Sequence, residues 1–290
     1  MVRTGTIRKN IDVSVVILTR NSQRTLEPCV RSAIRERPKE ILAVDTQSTD
    51  RTLSILTKYG VRVLSSPSMS LGCCRQLGVG NATGEFVMFL DSDAELGQGC
   101  IKALRSELKA SGWAGIHAQI LSQEIATYWQ RSEHELHRRF HNRAGPKGYI
   151  GCMAALYWRS LILSHAFDAR MRLGEDVDLC RTLARDKYAV GVSTARAVVY
   201  HLDRRELSAF ARQRFNYGRY GGARRFRKYK SSEILISPFI SLGYGFSFAM
   251  KYRRLGLVPY LALHSLFNFL GIVVGLSRAS RNENDVVAFA

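Results

Sequence analysis

Residues 84–93 read Gly-Glu-Phe-Val-Met-Phe-Leu-Asp-Ser-Asp. The unbroken apolar run Phe86–Leu90 has the character of a strand buried on both faces, and two carboxylates end it abruptly. Carboxylates at i and i+2 on an extended segment point to one side. Asp91 and Asp93 therefore form an anionic shelf at the carboxyl end of a strand. Such a shelf suits a hard cation, Mg²⁺ or Mn²⁺, which in turn neutralises a diphosphate. An Asp-x-Asp in an exposed turn is commonplace; its position after a buried strand sets this one apart.

Working outward, the same strand type recurs at Val13–Leu18 (VSVVIL), Glu40–Asp45 (EILAVD) and Val61–Leu64. Helical patterns fall between, at 22–36, at Thr49–Tyr59 closed by Gly60, and near 70–80. Strands alternating with helices predict an α/β fold with a mostly parallel sheet. Beyond residue 95 the pattern loosens: a helix near 98–111, a strand near 114–120, a polar helix near 122–141, and strands at Tyr149–Trp158 and Val190–His201 around a helix at 175–187. Ligands of such sheets bind beyond the carboxyl ends of the strands. Asp45, Asp91 and Asp93 all fall there. Ser48 or Thr49 suits a helix N-cap, and Asp50 complements the helix dipole. Asp45 interrupts the end of an apolar strand without such a role, and reads as a contact to a base or ribose. Glu175, Asp176 and Asp178 open the helix at 175–187; they either complement its dipole or supply a carboxylate that takes a proton from a hydroxyl.

The 290 residues carry 43 Lys+Arg against 24 Asp+Glu, a net charge of +19, with 46% hydrophobic residues. That apolar share excludes wholesale disorder, and the charge points to an anionic partner: nucleic acid, an acidic membrane surface or a phosphorylated small molecule. Six cysteines without a Cys-x-x-Cys pair read as reduced thiols of a cytosolic compartment. Arg3, Arg8 and Lys9 are not followed by an apolar stretch long enough for a signal peptide, so catalysis is expected to face the cytoplasm. Residues 203–230 hold ten Lys/Arg and two acids. Two apolar stretches follow, Ile234–Met250 and Leu255–Leu276, separated by Lys251-Tyr252-Arg253-Arg254. Both are long enough for a helical span, and the basic stretch beside them favours an anionic membrane surface. A spanning hairpin would put the basic turn on the far side, against the positive-inside tendency, so membrane association is expected rather than spanning as such.

Two features are decoys. His134, His137 and His141 lie at i, i+3 and i+7, a spacing that suggests zinc, but Arg131, Arg138, Arg139 and Arg143 surround them and repel a cation; a solvated face near an acceptor is expected instead. Gly78-x-Gly80 precedes a strand rather than following one, lacks the dinucleotide-binding context, and reads as a turn.

Taken in order, SVVILTRN at 14–21, VDTQSTD at 44–50, the Arg75 segment, GEFVMFLDSD at 84–93 and FDARMRLGEDVDL at 167–179 resemble inverting family-two glycosyltransferases of the GT-A fold. The basic segment and apolar tail resemble the arrangement in polyprenyl-phosphate glycosyltransferases. The resemblance implies a GT-A catalytic domain over residues 1–202, a basic juxtamembrane segment at 203–230, and a C-terminal helical membrane-associated hairpin within 231–290. It implies a nucleotide-diphosphate sugar as donor, bound by Thr19, Asn21, Asp45, Arg75, Asp91 and Glu175. Mn²⁺ or Mg²⁺ would be held by Asp91, Asp93 and His201, with Asp176 as general base. It further implies a glycan or lipid-linked acceptor, a site at the cytoplasmic face of the cell membrane, and no nucleic-acid partner. Departures are Thr46 and Gln47 where the family's Asp-Asp-Gly-Ser pattern has its second acid and glycine, and Gln76 where an Asn commonly follows the arginine. The Gln-x-x-Arg-Trp motif of processive synthases is missing, with Arg212-Gln213-Arg214-Phe215 nearby, so single-sugar transfer is expected. Two rivals are a nucleotidyltransferase, which would carry a Gly-rich loop where this chain has Thr19-Arg20-Asn21-Ser22, and a non-catalytic basic membrane- or nucleic-acid-binding protein, which leaves the acids at two strand ends without a role.

Overall fold

The structure, a computed structural model, describes residues 10–194, 196–230 and 233–278. Arg3, Arg8 and Lys9 lie outside the described residues. The first four strands are β1 (Ile11–Thr19), β2 (Pro38–Asp45), β3 (Arg62–Ser65) and β4 (Phe86–Asp91). The rest are β5 (Ala94–Leu96), β6 (Gly115–His117), β7 (Gln119–Ser122), β8 (Gly145–Lys147), β9 (Ala154–Trp158), β10 (Val190–Val192) and β11 (Val198–His201). The main sheet runs β3-β2-β1-β4-β9-β6-β10-β8, and a small sheet runs β5-β11-β7. β1 is parallel to both its neighbours, with Thr19 opposite Asp45 and Leu18 opposite Asp91. The acids at the ends of β2 and β4 therefore reach the same edge of the sheet, as the sequence pattern requires. β9 runs antiparallel to β4 and β6.

Helices cover both faces, which is why β1 and β4 read as continuous apolar runs. Val13, Val15 and Ile17 pack into one core and Val16 into the other, all fully buried. Each such side chain contributes roughly 1.5–3 kcal/mol relative to exposure.

The later strands differ from their sequence reading. The expected strand at 114–120 divides at Ala118 into β6 and β7, and the one at 190–201 divides into β10 and β11. In both places the chain leaves the main sheet to build the small one. Pairing there places His201 opposite Ala94. Leu202 N–H then donates to Asp93 O at 3.1 Å, which draws His201 toward the shelf. Gly78 and Gly80 lie within the helix Leu71–Asn81 rather than in a turn, because Gly78 packs directly on Val16 and a side chain there would strike it. The second helix begins at Thr52, three residues later than read, since the Asp50 carboxylate accepts Thr52 N–H at 2.9 Å and closes the preceding loop.

The basic stretch forms the helix Leu207–Asn216, a π-helical turn Tyr217–Gly222 and the helix Ala223–Tyr229. Lys228 Nζ reaches Asp178 at 2.8 Å and Asp168 at 3.3 Å, tying this stretch to the sheet-bearing part. The helices Glu233–Lys251 and Val258–Arg278 follow. Among the described residues one segment, Leu255–Ser277, is long and apolar enough to cross a membrane, and it is a candidate anchor. The earlier apolar stretch, Ile234–Met250, forms most of the helix Glu233–Lys251.

Candidate active site

Beyond the carboxyl end of β4 lies a cavity of about 800 Å³. Arg75, Asp91, Asp93, Glu175, Asp176 and His201 all line it, although they come from four separate elements and the turn after β4. Arg75 projects from the helix Leu71–Asn81 over the Phe89 ring, with 5.4 Å from its guanidinium to the ring centre. Its Nε donates to Glu175 Oε1 at 2.8 Å, and Nη2 lies 3.8 Å from Asp91 Oδ1. Both Arg75 and Glu175 are almost fully buried, yet Arg75 Nη1 and Glu175 Oε2 have no hydrogen-bond partner among the described residues. Buried polar atoms are ordinarily paired, and such orphans mark a place where a ligand completes the bonding.

Glu175 opens the helix Glu175–Arg185 behind Gly174, whose φ of +79° is the left-handed conformation that a residue with a side chain adopts only at a cost. A Cβ there would also strike the Arg225 guanidinium. Burial pushes the Glu175 carboxyl up to about 7; the Asp176 charge adds to this, and Arg75 opposes it. Burial likewise raises Asp91 to about 6, against the pull of Arg75. Asp176 projects from the same first turn, half-buried, with its Oδ1 accepting Val177 N–H at 2.7 Å.

Asp93 behaves in the opposite way. Burial opposes its charge, but His201 Nε2 at 3.7 Å and Arg204 Nη2 at 3.5 Å outweigh burial and hold its carboxyl low. His201 is itself raised to about 10, burial notwithstanding, because it lies between Asp203 and Asp93. Its Nδ1–H donates to Asp203 Oδ1 at 2.7 Å, and the same oxygen faces His137 Nε2 at 3.2 Å. His137, His201 and Asp203 are grouped closely enough to hold a cation. Asp203 Oδ1 is already engaged by both rings and orients His201, while Asp203 Oδ2 has no hydrogen-bond partner among the described residues. That leaves His201 Nε2 directed at Asp93, and Asp91, Asp93 and His201 offer the hard oxygens and imidazole nitrogen that Mn²⁺ or Mg²⁺ accepts.

The other donor-side residues lie together at the ends of β1 and β2, outside the cavity lining. Thr19 Oγ1–H donates to Asp45 Oδ1 at 2.8 Å, and Ser48 donates to the same carboxylate through N–H at 2.9 Å and Oγ–H at 2.6 Å. Asn21, at φ +49°, accepts Thr49 N–H at 2.8 Å and donates its own N–H to Ser48 Oγ at 2.9 Å. Thr19 and Asp45 thus bond each other, and Asn21 fastens the same loop through Ser48 and Thr49.

Several residues at or behind the cavity were not visible as such in the sequence. Asp203 sits two residues past His201, a spacing that was a signal, but the basic run around it masked it. His137 is buried and turned inward rather than on the expected solvated face, because the helix Tyr128–Leu136 passes into a π-helical turn at His137–His141 that brings the ring to Asp203. Arg204, Arg212 and Arg214 belong to the basic stretch and form a wall of the cavity. Arg214 pairs with Glu133 at 3.0 Å.

The family described as Glycosyl transferase family 2 matches residues 14–168. Cholesterol galactosyltransferase of Borreliella burgdorferi is 31% identical over 105 residues, 34% of this chain and 29% of that protein. Poly(ribitol-phosphate) β-N-acetylglucosaminyltransferase TarS of Staphylococcus aureus is 35% identical over 99 residues, 31% of this chain and 17% of its own length. The chain thus matches less than a third of the length of either relative. Among solved structures, S. aureus TarS 1–349 superimposes with a TM-score of 0.53 at 17% identity, covering 92% of this chain and 91% of that one. GalNAc-T7 with UDP, GalNAc and Mn²⁺ gives 0.56 at 16% identity, covering 69% and 45%. These likenesses place the chain in the GT-A fold.

Proposed function

The chain belongs to glycosyl transferase family 2, and from that premise we propose that it moves one sugar, with inversion, from a nucleotide-diphosphate sugar to a hydroxyl or phosphate of a lipid-linked or cell-envelope glycan acceptor. The observation that carries this reading is the meeting of Arg75, Asp91, Asp93, Glu175, Asp176 and His201 around one cavity, with buried polar atoms of Arg75 and Glu175 left unpaired. TarS has been solved with UDP and with UDP-GlcNAc, and GalNAc-T7 with UDP and Mn²⁺, which supports a nucleotide-sugar donor and a divalent ion here.

Asp91, Asp93 and His201 would hold Mn²⁺ or Mg²⁺; once bound, the ion offsets the charge that builds on the departing nucleoside diphosphate. Arg75 directs its unpaired Nη1 to the nucleotide, where it favours the same developing charge. Glu175, with one free oxygen and a carboxyl near neutrality, bonds a hydroxyl of the donor sugar. Asp176 accepts the proton of the acceptor hydroxyl as that oxygen approaches the anomeric carbon from the face opposite the leaving group. A phosphate acceptor has no such proton, and Asp176 would then only position it. Thr19, Asn21 and Asp45 shape the base-side loop; a direct contact from Asp45 to the base requires exchange of a bond now made to Ser48. Arg204, Arg212 and Arg214 line the cavity from the basic stretch and favour an anionic acceptor. The apolar tail supports an enzyme held at the cell membrane with its catalytic part facing the cytoplasm, and the proposed partners are a nucleotide sugar and a glycan or lipid-linked acceptor rather than nucleic acid.

Hydrolysis of a panel of nucleotide sugars, with Mn²⁺ and after chelation, tests the proposal. One donor should be consumed in the presence of the ion and spared without it. Equal turnover after chelation would remove the ion from the site, and no turnover of any donor would remove the donor class.

A further inference from the structure

The helix Val258–Arg278 presents two stripes of opposite fate. On one side Tyr260 and Ile272 are buried, and Gly271 and Gly275 lie so close to the π-helical turn that a Cβ on either would strike the backbone of Phe215 or Arg219. Gly218 meets Asn268 in the same way. The contact runs the whole length of the helix. Tyr128 OH donates to Gly256 O at 2.7 Å at its start, Tyr260 OH bonds Glu133 a turn later, and Arg227 donates to Gly275 O near its end. On the other side Leu266, Leu270 and Val273, at i, i+4 and i+7, are 42–47% exposed. The helix Glu233–Lys251 packs beside it through Phe239 and Phe269, ring centres 5.0 Å apart, and exposes Ile236, Phe239, Ile240, Tyr244, Phe246 and Met250.

A helix of this length rises roughly 30 Å, about the thickness of a bilayer's hydrocarbon core. If it crossed, it would carry its packed partners with it, including the charged Glu133, Arg214, Arg219 and Arg227. Ionisable groups are costly at that depth. Cations also stand at both ends of the apolar surface, with Lys230 before the first helix, exposed Lys251 at its end and exposed Arg253 in the turn that follows. A crossing hairpin would separate those ends to opposite sides; a hairpin lying flat keeps both at one anionic headgroup layer.

We infer that the two helices form an in-plane membrane-docking surface that enters one anionic leaflet by its exposed apolar face and does not cross the bilayer. The inference rests on the membrane association proposed above and is independent of the sugar chemistry. It is tested with the full chain and sealed phosphatidylcholine vesicles, with or without phosphatidylglycerol. The protein should sediment with the vesicles that contain phosphatidylglycerol. Arg253→Cys, added from outside, should react with a membrane-impermeant maleimide to the same extent before and after detergent, above the background of the parent chain. Leu270→Glu and Phe239→Glu should each lower the bound fraction at least about tenfold, the scale of withdrawing one large apolar side chain from lipid, with nucleotide-sugar hydrolysis unchanged. Labelling of Arg253→Cys only after detergent would show a crossing hairpin and overturn the in-plane geometry while leaving membrane association standing. Absence of sedimentation with either vesicle would overturn both, and vesicle binding indifferent to both glutamates would remove this face from the interface.

Discussion

Two stretches of the same sheet edge use similar residues to opposite ends. At the ends of β1 and β2, Asp45 has both carboxylate oxygens bonded to Thr19 and Ser48, and Asn21 is bonded to the facing loop. At the end of β4, Asp91 and Glu175 are raised toward neutrality, and Arg75 and Glu175 keep buried polar atoms unpaired. A fully bonded carboxylate fixes a shape. A desolvated one with a free oxygen retains bonding capacity for a ligand, which is why perturbed groups concentrate where chemistry is done. Acid count alone does not distinguish the two; hydrogen-bond accounting does.

The contrast breaks most visibly in turnover. Asp176→Asn and Asp93→Asn should each fold and lose at least about 100-fold in transfer to a hydroxyl acceptor, the scale of removing one key electrostatic or proton-accepting group. Calorimetry with nucleoside diphosphate and Mn²⁺ should find binding kept in Asp176→Asn and weakened in Asp93→Asn. Full activity in Asp93→Asn with Mn²⁺ binding unchanged would take the shelf out of the mechanism.

The next effect is one of pH. Folded Glu175 keeps its proton up to about 7, whereas the unfolded chain releases it near 4.5. Between those values the unfolded state binds fewer protons, so this residue lowers stability as the pH rises, with none of the loss present below 4.5. Glu175→Gln should flatten that decline by on the order of 2 kcal/mol, read from urea midpoints at several pH values. An unchanged slope would mean that Arg75 holds Glu175 ionised throughout.

Asp45→Asn sharpens the comparison from the other side. It should cost about 1–2 kcal/mol of stability, since hydrogen bonds to a charged acceptor are lost, and shift donor KM little. A large rise in KM at unchanged stability would make Asp45 a ligand contact after all. The smallest effect is expected at Gln47, which occupies the family's glycine position and keeps its left-handed backbone at φ +57°. Gln47→Gly should add up to about 1 kcal/mol by relieving the steric cost of a side chain there, and leave activity alone. A destabilised variant would mean that the Gln47 side chain makes a compensating contact.

Much of this architecture is local and therefore legible in order along the chain. A strand buried on both faces must be apolar at every position, so β1, β2 and β4 announce themselves, and the first charge after each marks the edge where ligands bind. The acids that open the helix Glu175–Arg185 follow the same logic, and so do the basic stretch and apolar tail, since charge clusters and long apolar runs need no partner to be recognised. Which groups meet is another matter. Arg75 finds Glu175 across 100 residues, and His137 finds Asp203 across 66. The small sheet that pairs β11 with β5 is what carries His201 to Asp93. The bonding that occupies Asp45, the turn that faces His137 inward, and the packing of the apolar helix on charged neighbours all depend on backbone paths between distant segments. Periodicity reports the environment of one contiguous stretch; the identity of a partner is decided only when separate stretches are brought into register, and here that decision distinguishes a fully bonded carboxylate from one with a free oxygen.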